Sequence, residues 1–154
     1  MKYMKTFEGF GRQGDEEYPY PLYHEALMEY LPTVFLFDET NGSVPNYHQT
    51  FACDISDFTN LSEEDIEITY DNDGLDFIRK VETQAADRFD KILVGGLGTP
   101  WMGGRTPDSL DMHGDTLYFF GEETESNTKF LEELCENHNE FDYYPQGFYR
   151  VWWD

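Results

Sequence analysis

From Gln13 to Ile78 the chain holds no lysine and no arginine, a run of 66 residues in which sixteen positions are aspartate or glutamate. A surface of one sign over such a length repels itself, and ordinary solubility does not require it. The overall charge of −22 excludes nucleic acid and anionic membranes as direct partners, because both carry the same sign. Cysteine is scarce: Cys53 and Cys135 are too few for a disulfide framework, and a reducing cytoplasm is the expected compartment. No apolar run reaches membrane-spanning length. Met1–Phe10 has no apolar core segment, so no signal peptide is expected.

The chain does have aromatics. Thirteen Phe, eleven Tyr and three Trp are spread along 154 residues, which separates this sequence from disordered acidic tails and predicts one packed domain over residues 1–154. Charge is uneven. Residues 1–12 sum to +2, 13–78 to −16, 79–105 to +2 and 106–154 to −10.

Hydrophobic spacing predicts the elements. Leu22–Leu31 reads as a short helix between Pro21 and Pro32, with Tyr23, Ala26, Leu27, Tyr30 and Leu31 on one face. Thr33–Asp38, His48–Ile55 and Ile66–Tyr70 read as strands, and Asp71–Gly74 as a turn. Asp76–Ile92 is the clearest helix, because Ile78, Val81, Ala85, Phe89 and Ile92 fall on one stripe, and Asp87 precedes Lys91 in the favourable i,i+4 order. Lys91–Gly95 overlaps its end as a strand, and Gly96–Ser109 is a Gly/Pro loop around Trp101. Thr116–Phe120 is a further strand. Ser126 is placed to cap a helix running to about Asn139, with Phe130, Leu131, Leu134, Cys135 and His138 inward. Phe148–Trp153, with large groups on both faces, is expected as a central strand rather than a binding surface. The expected fold is α+β: a mostly antiparallel sheet covered by two or three helices.

Acidic side chains at i,i+4 destabilise a helix by a few tenths of a kcal/mol per pair. Glu25 and Glu29 make such a pair in the first helix, and Glu132, Glu136 and Glu140 make a ladder in or just past the last. The middle helix mixes its charges, so the pattern is regional. One i,i+4 step rises about 6 Å, whereas duplex DNA carries one charge per about 1.7 Å of axis. Several acidic elements side by side are therefore needed to approach that density. Three explanations of the acidity stand at this point: a solvated surface, adaptation to high salt, and imitation of a nucleic acid. The mixed charges of the middle helix and the abundance of Phe and Tyr fit salt adaptation poorly.

Met1-Lys2-Tyr3-Met4-Lys5-Thr6-Phe7-Glu8-Gly9-Phe10 resembles the opening of many small phage-encoded proteins, and the composition resembles that of acidic inhibitors carried by phages and plasmids against host defence. That resemblance implies a non-enzymatic nucleic-acid mimic acting in the host cytoplasm and blocking the basic nucleic-acid-binding site of a host protein. Candidate partner-binding residues are Asp15, Glu16, Glu17, Glu25, Glu29, Asp38, Glu39, Glu63, Glu64, Asp65, Asp71, Asp73, Glu132, Glu136 and Glu140, with Trp101 as an apolar anchor. The other readings are a small enzyme or ligand-binding domain built on the Gly95–Arg105 loop, and a phage structural or assembly protein.

Enzyme-like constellations are thin. Asp71-Asn72-Asp73-Gly74-Leu75-Asp76 resembles a calcium loop, but that register puts Thr69 first and Lys80 twelfth, where Asp and Glu are required. His48, Cys53, Cys135 and His138 could supply four zinc ligands only if their elements met in space, and neither Cys has a Cys-x-x-Cys partner. Ile92–Gly98 runs into glycines as phosphate loops do, but lacks the Gly-Lys-Ser/Thr ending. Neither a metal nor a cofactor is expected, and the oligomeric state is left open.

Overall fold

The computed structural model describes residues 20–40, 49–62, 74–97 and 112–153. Among them the chain forms helix α1 (Tyr20–Met28), strands β1 (Phe35–Asp38) and β2 (Gln49–Asp54), helices α2 (Ile55–Thr59) and α3 (Gly74–Ala85), strands β3 (Lys91–Leu97) and β4 (Met112–Phe120), helix α4 (Glu125–Leu134) and strands β5 (Glu140–Tyr144) and β6 (Phe148–Trp152). The six strands make one antiparallel sheet in the order β1-β2-β3-β4-β6-β5. The fold is α+β, as expected.

All four helices contribute to a single core on one face of the sheet. Leu27 of α1, Phe58 of α2, Ile78 and Val81 of α3 and Leu131 of α4 are buried there against Phe51, Val94, Leu117, Phe119, Tyr149 and Val151. The period-2 alternation of the strands sends the other set of side chains to the opposite face. A second cluster forms there from Ala52, Leu93, Tyr118 and Phe148, with Phe37, Phe120 and Tyr144 packed against it. Both faces of β4 and β6 are therefore apolar, which explains the near-continuous aromatic runs of the C-terminal third. β6 lies between β4 and β5, so Phe148–Trp152 is an inner strand. Trp153, just past it, is buried edge-on against Phe77 of α3.

Several boundaries differ from the sequence reading. α3 stops at Ala85, not Ile92. Phe89 is buried in the connection and Ile92 belongs to β3, where it pairs with Phe119. Sheet pairing of the apolar run Ile92-Leu93-Val94, with β-branched Ile92 and Val94, overrides the helical stripe, and Asp87 and Lys91 never share a helix. The last helix is capped by Thr124, whose hydroxyl accepts from Asn127 N at 3.0 Å, rather than by Ser126, and it ends at Leu134. β5 and α2 are elements that the sequence reading did not assign. The proposed strand Ile66–Tyr70 and the residues 71–73 of the proposed turn lie outside the described residues, and Gly74 opens α3.

β3 runs straight through Gly95 and Gly96. A Cβ on Gly95 would stand 2.7 Å from Tyr118 Cε2, and Gly96 has φ +80 at an irregularity between Gly95 and Leu97. These two glycines serve close approach of a ring and a bulge in a buried strand. The remainder of the Gly95–Arg105 segment beyond Leu97 lies outside the described residues.

Candidate functional site

Of the predicted acids, Asp15, Glu16, Glu17, Glu63, Glu64, Asp65, Asp71 and Asp73, together with Trp101, lie outside the described residues. Glu25 is exposed on α1, and Glu29 is exposed in the turn that follows it, so only the first of the pair is helical. Asp38 ends β1 half-buried, accepting from the Thr40 N–H and hydroxyl, each at 2.9 Å. Glu132 is exposed on α4 and Glu136 is exposed beyond its end, while Glu140 opens β5. The three therefore form no helical ladder, because the helix stops at Leu134 and the chain turns back into the sheet.

Glu39 is the clearest departure. It is 6% exposed and lies over the second face of the sheet. The Tyr118 hydroxyl donates to its Oε2, and Arg150 Nε donates to the same oxygen at 2.8 Å. Arg150 in turn donates from a terminal nitrogen to Glu140 Oε1 at 2.7 Å. Glu39 thus neutralises a buried cation and presents no charge to a partner. Burial works against the Arg150 charge, but Glu39 and Glu140 hold its pKa above its ordinary value. Burial and the Glu39 carboxylate raise the Tyr118 phenol well above its ordinary value. Next to them, burial lifts the Asp115 carboxyl from 3.8 to about 6, against the opposing effects of the Thr116 hydroxyl and Arg150.

The exposed acidity of the described residues concentrates elsewhere. Between residues 122 and 142 stand Glu122, Glu123, Glu125, Glu132, Glu133, Glu136, Glu140 and Asp142, eight carboxylates against the single cation Lys129, and all eight residues are exposed. They occupy the loop before α4, α4 itself, the turn after it (Glu136) and β5, the outermost strand at one end of the sheet. The Tyr143 hydroxyl donates to Gly121 O at 2.8 Å, which ties β5 to the loop that carries Glu122 and Glu123. Glu132 and Glu133 sit in the last turn of α4, which has no basic residue to offset the helix dipole. Sequence reasoning missed Glu122, Glu123, Glu125, Glu133 and Asp142. A simple count of charges along the C-terminal block would have found them.

Arg150 pairs with Glu140, one of these eight acids, at 2.7 Å, whereas the hydrogen bonds of Arg79 and Arg88 go to neutral acceptors. Arg79 donates to Thr59 O and Leu61 O at 3.2 and 2.9 Å, and Arg88 to Ser126 Oγ and Asn127 Oδ1 at 3.2 and 3.1 Å. Arg88 also lies over the Phe130 ring. Its side chain brings a cation close to α4 without meeting a carboxylate there.

The chemistry-bearing groups elsewhere are structural. Cys53 and Cys135 are buried, and burial raises both thiols, Cys135 to about 12. The Cys135 carbonyl is hydrogen-bonded to His138 Nδ1 at 2.7 Å, and His24 Nε2 to Val34 O at 2.8 Å. Among the described residues no group of three or more His, Cys, Asp or Glu is disposed to hold a metal ion, and His48 lies outside them. Among the described residues, too, no helix is long and apolar enough to cross a membrane. No protein-family model, curated protein or solved structure matches this chain. What the described surface offers chemically is a dense set of exposed carboxylates on and beside one edge strand of the sheet.

Proposed function

We propose that the protein is a non-enzymatic acidic inhibitor, phage-encoded, whose carboxylates take the place of nucleic-acid phosphates in the basic groove of a host DNA-processing or defence protein. The observation that carries this reading is the exposed set from Glu122 to Asp142: eight acids, of which Glu140 also pairs with Arg150, and one lysine, on one helix, the segments flanking it and one edge strand. No single helix could approach the charge density of a duplex, but adjacent elements add their fields.

Stability arguments favour a use for this charge. Acids in the last turn of a helix oppose its dipole, and like charges on a surface repel. A chain selected for folding alone would place lysines there. A partner that supplies the missing cations would bind fast through electrostatic steering, and its affinity would fall as salt screens the field.

The test is capture from a host lysate on the immobilised protein across a salt series. The proposal expects retention of heparin-binding proteins at low salt and their release at high salt. Retention that ignores salt would count against it.

A further inference from the structure

β5 ends the sheet beyond β6, and the hydrogen bonds at its two ends show which of its backbone groups are used. The Trp152 carbonyl accepts from Asn139 N at 2.8 Å, and the Tyr144 carbonyl accepts from Gly147 N at 2.9 Å inside the hairpin. Trp152 and Tyr144 therefore face the space between the two strands. Backbone direction alternates along an antiparallel strand, so Glu140, Asp142 and Tyr144 turn toward their partners Trp152, Arg150 and Phe148. Phe141 and Tyr143 turn their N–H and C=O groups out of the sheet, and among the described residues no backbone hydrogen bond meets them there. Five residues of open edge span about 17 Å.

The side chains of this edge alternate as well. Phe141 and Tyr143 lie half-buried against the core on the helix side. By the period of two, Glu140 and Asp142 stand exposed on the opposite face, the face of Tyr144. Arg150 on that face is already matched by Glu39, so the two edge acids leave it negative. Acids on an edge strand oppose pairing with a second copy of the chain, because acid would face acid, and they favour a strand of opposite charge. An open edge offers main-chain hydrogen bonds to any extended segment, and its alternating side chains select among such segments. Here they select cations opposite Glu140 and Asp142 and apolar groups opposite Phe141 and Tyr143.

We infer that β5 is a docking edge for an extended segment of the basic partner in which cationic and apolar residues alternate, added to the six strands as a seventh. The inference rests on the proposed function, and it names the partner segment that the acidic surface takes.

The experiment is an amide-resolved NMR titration of the whole chain at low salt with the acetylated, amidated peptide Lys-Val-Arg-Val-Lys. One control peptide, Lys-Lys-Arg-Val-Val, has the same composition in blocks. The other is the alternating peptide N-methylated at every amide, which keeps its charges and loses its backbone donors. Saturable shifts should be largest at Phe141 and Tyr143, whose amides should exchange more slowly in the complex. The alternating peptide should bind about tenfold more tightly than the block peptide, the scale of two cross-strand pairs, and the N-methylated peptide should not bind. Glu140→Gln with Asp142→Asn should weaken binding about tenfold. Glu132→Gln with Glu133→Gln removes the same charge from α4 and should change affinity by less than about twofold, as expected for exposed charges at a distance. Equal affinity for the alternating and block peptides, binding of the N-methylated peptide, shifts centred on α4, or absence of saturable binding would overturn the inference. Concentration-dependent shifts at Phe141 and Tyr143 without peptide would overturn it too, because a second copy would then fill the edge. Salt-sensitive capture of a basic host protein would survive each of these results, so the two proposals fail separately.

Discussion

Arg150 Nε lies 2.8 Å from Glu39 Oε2, joining the inner strand β6 to the residue that follows the first strand, across a sequence separation of 111 residues. Their side chains are 15% and 8% exposed. The Tyr118 hydroxyl shares the same carboxylate oxygen, so one acid satisfies two buried donors on the face of the sheet opposite the helices.

Breaking this pair from one side leaves a buried charge without its partner. Arg150→Met should destabilise the fold by about 3 kcal/mol, the lower end of what such losses cost. The double variant Glu39→Gln with Arg150→Met should recover much of that loss, because neither charge then remains. Urea unfolding of the parent, the single variant and the double variant checks it, and equal instability of the single and double variants would contradict it.

Asp115 gives the pH dependence a definite sign. Its folded-state pKa of about 6 lies above the ordinary 3.8, so between those values the folded chain binds this proton more tightly than the unfolded chain. The stability it contributes is present at the acid end of that window and lost as pH rises through about 6. Asp115→Asn should therefore gain stability relative to the parent chain as pH goes from about 4 to 7, by about 2 kcal/mol. Parallel unfolding curves at the two pH values show the gain or its absence.

Salt should act on folding and binding with opposite signs. Screening relieves repulsion among the acids from Glu122 to Asp142, so the melting temperature should rise with added salt. Glu132→Gln with Glu133→Gln should stabilise α4 by a few tenths of a kcal/mol by removing acids from its last turn. Both are read by thermal melts of the free protein. A melting temperature that falls with salt would mean that the acids are compensated in the folded state.

The two thiols should be inert until the chain unfolds. Cys53 and Cys135 are buried, and burial disfavours both thiolates. A thiol-specific disulfide reagent should react with neither at pH 8 in native conditions, and with both in denaturant. Fast native labelling of either would contradict their core placement.

The sequence was most legible where one element buries one stripe. Leu27 and Leu31, Ile78 and Val81, and Leu131 and Leu134 are inward as their spacing predicts. It was least legible where two periodicities overlap. Ile92 fits the helical stripe of Ile78 and Ala85, but pairing with Phe119 claims it for the sheet. Glu140–Tyr144 was hidden because its alternation of acids and aromatics carries little apolar signal on its solvent side, and only its pairing with Phe148–Trp152 makes it a strand. The Glu39–Arg150 contact was beyond reach for a different reason: charge counting treats every acid alike, and only the folded chain decides which one is spent on an internal cation. The acids that remain exposed between Glu122 and Asp142 are legible in the sequence as a count of charge, but which of them face solvent follows only from the fold.

The most direct measurement is displacement of a labelled duplex from the basic host protein captured at low salt. If the carboxylates occupy the phosphate-binding groove, the protein releases the duplex in proportion to the amount added, and its own affinity for that host protein falls steeply as salt rises. If the duplex stays bound while the two proteins associate, the acids touch some other surface and the nucleic-acid mimic account is wrong.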